Sequence, residues 1–364
     1  MTIIWVRLVC VKIQSLKEVY VKKILSIGFM LITASLYGCT KQPTTDPTSE
    51  QNQAAAAKTF KVGVIFDKAG KDDKSFNNSA FVGATKAEKE LGIELKTVEP
   101  SDDNAYEPAM DQFASRNYDL IIAIGFIQEE ALKKVAARYP NSKFAIVDSI
   151  VDLPNISSLM FEEHEGSYLA GMMAAMKTKS NVIGFVGGMD IPLIRRFALG
   201  YKSGAQAVNP KITVKENYIG ITVDAFNDPT KAKELANAQI SQKADVIFAA
   251  AGPSGMGVYD AIEKAEIFAI GVDSNQNWIK PGKILTSMLK RVDVAVYDTI
   301  KEAKEGQFKP GTRRFSLKDQ GIDVAMDEHN KDLITPEMLS KVEQAKQDII
   351  AGKIQVPDYY KMKK

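Results

Sequence analysis

The stretch VDLPNISSLMFEEHEGSYLAGMMAAMKT (Val151–Thr178) interrupts an otherwise regular alternation of short apolar runs and longer mixed segments. Before it stand FKVGVIF, IELKTV, DLIIAIG and KFAIVD; after it come NVIGFVGG, ITVKENY, ADVIFAA and IFAIGVD. Runs that are apolar almost throughout predict strands buried on both faces, as in parallel sheets covered by helices. The segments between them, 77–91, 104–117, 128–139, 191–207 and 229–242, are long enough for three or four helical turns and place apolar residues three and four apart. A single sheet would need about ten strands, many for one twisted open sheet. The interruption instead divides the chain into two doubly wound α/β lobes, the first from residue 58 to about 162. Such lobes leave a cleft beside the carboxyl ends of their strands.

The chain has 364 residues, 45% of them hydrophobic, enough for two domains. Its net charge of +2 argues against a nucleic-acid binder that works by neutralising phosphates. The leader, residues 1–38, holds Arg7, Lys12, Lys17, Lys22 and Lys23 against Glu18 alone, so the remainder is slightly acidic. VKKILSIGFMLITASLYGCT (21–40) sets a basic pair before an apolar run and small residues, the layout of an export signal. A cysteine at its end, Cys39, resembles a bacterial lipoprotein signal, which implies cleavage before Cys39 and lipidation of its thiol. An uncleaved membrane anchor is the alternative, though the uncharged span 24–40 is slightly short for the hydrocarbon core. Residues 1–20 fit neither, and translation starting at Val21 is the expectation. The proline-punctuated polar segment 39–57 reads as a tether. The only other cysteine is Cys10, so neither a disulfide nor a cysteine–histidine metal cluster is expected.

GPSGMG (252–257) lacks the second glycine of a hydrolase elbow, and no glycine-rich loop ends in Gly-Lys-Ser/Thr. Asp67, Asp72 and Asp73 are not spaced as a calcium loop, and His164 and His329 have no partner for acid–base work. No enzyme activity, cofactor or metal is expected.

Several residues sit where strands end. Asp67 follows the first strand, and Ser75, Phe76 and Asn77 lie at the mouth of the next helix. Asn77 could be that helix's N-cap or a ligand contact. Phe76 offers a flat face at a strand–helix junction, where stacking on a base is worth roughly 1–3 kcal/mol. Phe226, in the turn before a helix starting near Pro229, offers a second ring or a local staple. Asp148 and Asp273 end buried strands as acceptor-only groups suited to hydroxyl or N–H donors, in charge-assisted bonds. The loop with Gly252, Ser254 and Gly257 allows close backbone approach at a helix start. Met189 could touch ligand or the hinge.

The blocks KFAIVDS, FEEHEGSYLAGMMA, IGFVGGMDIPLIRRFALGYKSGAQAVNP, FNDPTKAKELANAQISQKADVIFAAAGPSGMG, FAIGVDSNQN and PGKILTSMLKRVDVAVYDTI resemble, in order, the basic membrane lipoprotein family of ABC-transporter substrate-binding proteins, including purine nucleoside receptors. The likeness covers about residues 60–325, with Pro253 and Ser254 where relatives often carry glycine and threonine. It implies the ribose-binding type of periplasmic fold, two lobes joined by three crossover strands near 162, 290 and 312. The first lobe would then comprise 58–162 with 290–312, and the second 163–289 with 313–360. It also implies a purine nucleoside (inosine, guanosine or adenosine) stacked between Phe76 and Phe226, with Asn77 on the base, Asp148 on the base edge or hinge side, and Asp273 and Lys290 on the ribose. Lys290, rather than Arg291, matches the motif; its alternative is a structural ion pair. The implied setting is a monomer, lipid-anchored at the cell membrane and facing the periplasm or exterior, that serves an ABC permease. A hexose, or a ligand presented to a membrane sensor, is the alternative.

Overall fold

The computed structural model describes residues 59–362, which fall within one unit, Ala57–Lys364. The leader, Cys39, and the tether lie outside the described residues. In chain order the elements are β1 Lys61–Ile65, α1 Phe76–Leu91, β2 Glu94–Val98, α2 Tyr106–Ser115, β3 Leu120–Ile124, α3 Glu129–Arg138, β4 Phe144–Val147 and β5 Ile156–Phe161. There follow α4 Glu163–Lys177, β6 Val182–Met189, α5 Pro192–Val208, β7 Thr213–Gly220, α6 Pro229–Ser241, β8 Val246–Ala250, α7 Gly255–Ala265 and β9 Phe268–Asp273. The chain ends with β10 Ile284–Lys290, α8 Val292–Lys304, β11 Gly311–Phe315, β12 Ile322–Val324 and α9 Pro336–Ile350.

Two six-stranded sheets result, ordered β11-β5-β4-β3-β1-β2 and β12-β10-β9-β8-β6-β7. The orders superpose strand for strand, β1 on β6, β3 on β8, β4 on β9. All pairs are parallel except β10–β12. Central strands such as LIIAI (β3) and VIFAA (β8) are wholly buried, as strands covered on both faces must be. This is the bilobed α/β fold of periplasmic binding proteins, with two parallel sheets.

The chain passes between sheets three times. The first passage runs from β5 into α4 at Phe161–Glu163, and the second from β10 into α8 at Lys290–Val292. The third falls later than the expected 312. Strand β11 stays in register with β5 as far as Phe315↔Phe161, so the chain leaves the first sheet only after Phe315. Among the described residues no helix is long and apolar enough to cross a membrane.

Candidate ligand-binding cleft

The carboxyl ends of both sheets face one cavity, about 930 Å³ of space with its open mouth included. Asp67, Phe76 and Asp148 line it from the first lobe; Phe226, Gly252 and Asp273 line it from the second, and Lys290 from the second passage. Asp148 follows β4 and Asp273 ends β9, equivalent places in the two sheets. Both hold left-handed backbone, φ 69° and 64°. A non-glycine residue accepts that conformation at a cost of order 1–3 kcal/mol only where its surroundings fix it. The strain turns each carboxylate off its strand and toward the cleft.

Phe76 is the first residue of α1. The cap of that helix is Asp73, whose carboxylate accepts from the Ser75, Asn77 and Asn78 amides at 2.8, 2.9 and 2.9 Å. Asn77 is therefore not the cap. Its side-chain oxygen accepts from the Asp67 amide at 3.3 Å, and its amide nitrogen donates to Asp67 Oδ1 at 2.6 Å. It orients Asp67 and does not line the cavity itself. Phe226 sits on the single 3₁₀ turn Val223–Asn227. Ser254, fully buried, fastens that turn: it donates to the Ala225 carbonyl at 2.9 Å and accepts from the Asp228 amide at 2.7 Å. The Phe226 ring rests on Gly188, where a Cβ would lie 2.3 Å from the ring.

Lys290 is held in an ion pair, the alternative that its sequence position left open. Its ammonium donates to Asp148 at 2.6 Å and lies 3.2 Å from Glu163, while Asp273 makes no ion pair with it. Asp273 instead accepts from the hydroxyl of Ser75, on the opposite lobe, at 2.6 Å. The ammonium also sits 5.2, 5.1 and 5.7 Å from the centres of Phe76, Phe161 and Phe197. Burial by itself would lower the Lys290 pKa, but the surrounding Asp148, Glu163 and Asp273 outweigh it and hold the ammonium above its ordinary value. Burial raises all three carboxyls, Asp273 to about 6, because one cation serves several acids. Burial likewise raises Asp73 to about 6 against the amide bonds that favour its charge.

Glu163 continues the network through the hinge to fully buried Arg196, which also donates to Glu162 at 2.6 Å, to the Phe161 carbonyl at 2.5 Å and to Asp358 at 2.8 Å. His164 accepts the same guanidinium within 3.0 Å, a structural role. Arg291 turns aside to Asp293 at 2.9 Å.

The remaining sequence candidates lie outside the cavity wall. Gly257 belongs to the packing of α7 on α6, where a Cβ would stand 1.8 Å from the Pro229 carbonyl oxygen. Met189 packs in the apolar cluster between β6 and the outer helices. Ser75 bridges the lobes rather than the cavity. The sequence reading missed Asp73, Tyr106 and Glu163. The segment DDKSFNN offers several capping side chains within one turn, and nothing local selects Asp73 among them; the Glu163–Lys290 contact exists only because two passages between sheets lie side by side.

A cleft between two matched α/β lobes, walled by aromatic rings and acceptor groups and spanned by three passages, defines a solute-binding protein. Residues 60–359 match the family described as Bmp, ABC transporter substrate-binding protein PnrA-like, and the chain belongs to that family. It is a non-catalytic binding protein that takes a small molecule for an ABC importer, and the family works with a membrane permease. The chain is 35% identical to the ABC transporter nucleoside-binding protein BmpA of Lactococcus lactis subsp. cremoris, over 82% of this chain and 89% of that one. It is 35% identical to the CD4+ T-cell-stimulating antigen of Listeria monocytogenes, over 83% of this chain and 89% of that one. Among solved structures, an ABC transporter solute-binding protein from Aeropyrum pernix K1 is similar at TM-score 0.75 and 32% identity, covering 82% of this chain and 94% of that one.

Proposed function

We propose that the protein captures purine nucleosides between its lobes and presents them to the permease. The observation that carries this reading is that Phe76 and Phe226, from different lobes, wall one cavity whose otherwise largely apolar lining also carries Asp67, Asp148, Asp273 and the buried ammonium of Lys290. Two rings suit a planar base, each face worth roughly 1–3 kcal/mol, and acceptor-only carboxylates suit ribose hydroxyls and base N–H groups. Asp273 keeps one oxygen for the ligand beside its bond to Ser75, and Asp148 Oδ1 is buried without a protein partner. The acidic lining disfavours phosphorylated nucleotides by like-charge repulsion. Closure is a hinge movement at the three passages, between lobes built from 58–162 with the return segment to Phe315, and from 163–290 with the C-terminal part.

In this reading the chain is exported by its leader, lipidated at Cys39, and held as a monomer at the cell membrane, facing the periplasm or exterior. The export signal in residues 21–40 supports this. Calorimetry with inosine, guanosine, adenosine, ribose and galactose tests the ligand. Heat and a raised melting temperature are expected with one or more nucleosides; a response to galactose or ribose and to no nucleoside would replace the reading with a sugar receptor.

A further inference from the structure

Tyr106 opens α2 and is 1% exposed, yet its ring lines the cleft. Its hydroxyl is buried and donates its proton to no acceptor among the described residues. An orphaned buried hydroxyl is costly, roughly 1–3 kcal/mol, and its persistence beside a ligand cavity calls for a partner from outside. The Lys68 amide faces the oxygen side of the phenol, which leaves the proton free to be donated. Burial and the nearby Asp67 keep the phenol protonated.

Asp67 supplies the complement. Its Oδ1 is taken by Asn77 and by the Ala69 amide at 2.6 and 2.9 Å. Its Oδ2 makes no hydrogen bond among the described residues, and lies on the side of Gly125, 3.7 Å from where a Cβ would stand. A fixed acceptor and an unspent donor thus border the same end of the cavity, next to Phe76, whose ring edge also meets Gly125.

We infer that Tyr106 is a specificity-determining residue, donating its hydroxyl to a carbonyl oxygen on the base while Asp67 accepts the neighbouring N–H, so that the pair reads an amide-like base edge. The inference rests on the nucleoside reading. It gives the 6-oxopurine edge, a carbonyl beside an N–H, an advantage over a purine that lacks both.

The test titrates inosine and purine riboside, which has no 6-oxygen and no N1–H, into the wild-type protein and into Tyr106→Phe. The wild type is expected to prefer inosine by tenfold or more. Tyr106→Phe should weaken inosine on the order of tenfold, the size of one lost hydrogen bond, and leave purine riboside within about twofold. Equal weakening of both ligands would mean that the hydroxyl only supports packing, and overturns the inference. So would an unchanged inosine affinity, or a wild type that does not distinguish the two ligands. A wild type that takes no nucleoside, guanosine and adenosine included, removes the nucleoside reading itself; one that takes inosine while Tyr106→Phe is silent removes only the role of Tyr106.

Discussion

Replacing Gly188 with alanine should weaken nucleoside binding while touching neither the ligand nor the carboxylates. Gly188 lies near the end of β6, with no left-handed backbone to forbid a side chain. Its importance is what leans on it. A Cβ would stand 2.3, 2.4 and 2.9 Å from three carbons of the Phe226 ring, whereas carbons in contact settle at about 3.5–4.0 Å. The ring must therefore retreat by roughly 1 Å or more, and being on a short turn it can do so without moving the sheet. Stacking on one aromatic face is worth roughly 1–3 kcal/mol, so complete loss would raise Kd about 5- to 150-fold at about 1.4 kcal/mol per decade. Partial loss should fall toward the lower end. The melting temperature should move little, because the displaced ring is only half-buried. Calorimetry with inosine on Gly188→Ala, Phe226→Ala and the double variant checks the route of the effect, because residues in contact are not additive. Wild-type affinity in Gly188→Ala would refute the reasoning. So would a double variant weaker than Phe226→Ala by the full single-variant factor, since the alanine would then act by some path other than the ring.

Lys290→Met should cost roughly 3–5 kcal/mol of stability, since it strands Asp148 and Glu163 as buried charges; thermal melts should show a large drop, partly recovered by adding Asp148→Asn, and an unchanged melt would deny the network. Gly257→Ala should destabilise by roughly 1–3 kcal/mol by prising α7 from Pro229, with inosine affinity retained in the folded fraction; selective loss of affinity would return Gly257 to the site. The pH dependence has a definite sign. Asp73 and Asp273 are raised to about 6 from 3.8, so the folded, closed protein favours their protonated forms. Their contribution is complete below the ordinary carboxyl value and is lost as pH rises through 6. Among the described residues Trp278 is the only tryptophan, and Lys74 of the opposite lobe lies 5.6 Å over its ring. Its fluorescence in the ligand-free protein should titrate near pH 6, and Asp273→Asn should flatten the curve; a curve unaltered by that change would assign the transition elsewhere.

Of the eight strands legible as apolar runs, β1, β3, β4, β6, β8 and β9 are buried almost throughout, since burial on both sides leaves an uninterrupted apolar run, while the partly buried edge strands β2 and β7 show shorter ones. β11, GTRRF, sits at a sheet edge with mostly exposed side chains, and β12 has only three residues; neither leaves an apolar signature, which is why the third passage was placed too early. β5 hides differently: it is wholly buried but carries Ser157 and Ser158, polar residues inside a sheet. In the cleft, the rings and strand-end carboxylates were readable because a strand end followed by a helix start is a local pattern. What could not be read is pairing across distance. Ser75 and Asp273 are 198 positions apart, and no local feature of either announces the other. Tyr106 looks like any aromatic at a helix start; only the absence of a partner for its hydroxyl sets it apart, and that is a property of the folded neighbourhood.

The direct bonds between the lobes show why a ligand would govern closure. Besides Ser75 to Asp273, the Ser274 hydroxyl donates to the Ser75 carbonyl at 2.8 Å, and the Gln276 amide donates to the Lys74 carbonyl at 3.0 Å. All of them gather on one short segment, Lys74–Ser75, against Asp273–Gln276. At the mouth Lys68 meets Asp224 across the gap at 3.3 Å, a partly exposed pair of the kind worth about 0–1 kcal/mol. Each neutral bond contributes about 0.5–1.5 kcal/mol net. Against them stand the left-handed backbone of Lys74, Asp148 and Asp273 and the burial of several acids around one ammonium. A solute that gives donors to Asp67, Asp148 and Asp273 and a flat face to both rings meets its full set of partners only when the lobes are together. That difference in affinity is what can shift the balance, and a preference of about 5.5 kcal/mol would carry it from nearly all open to nearly all closed.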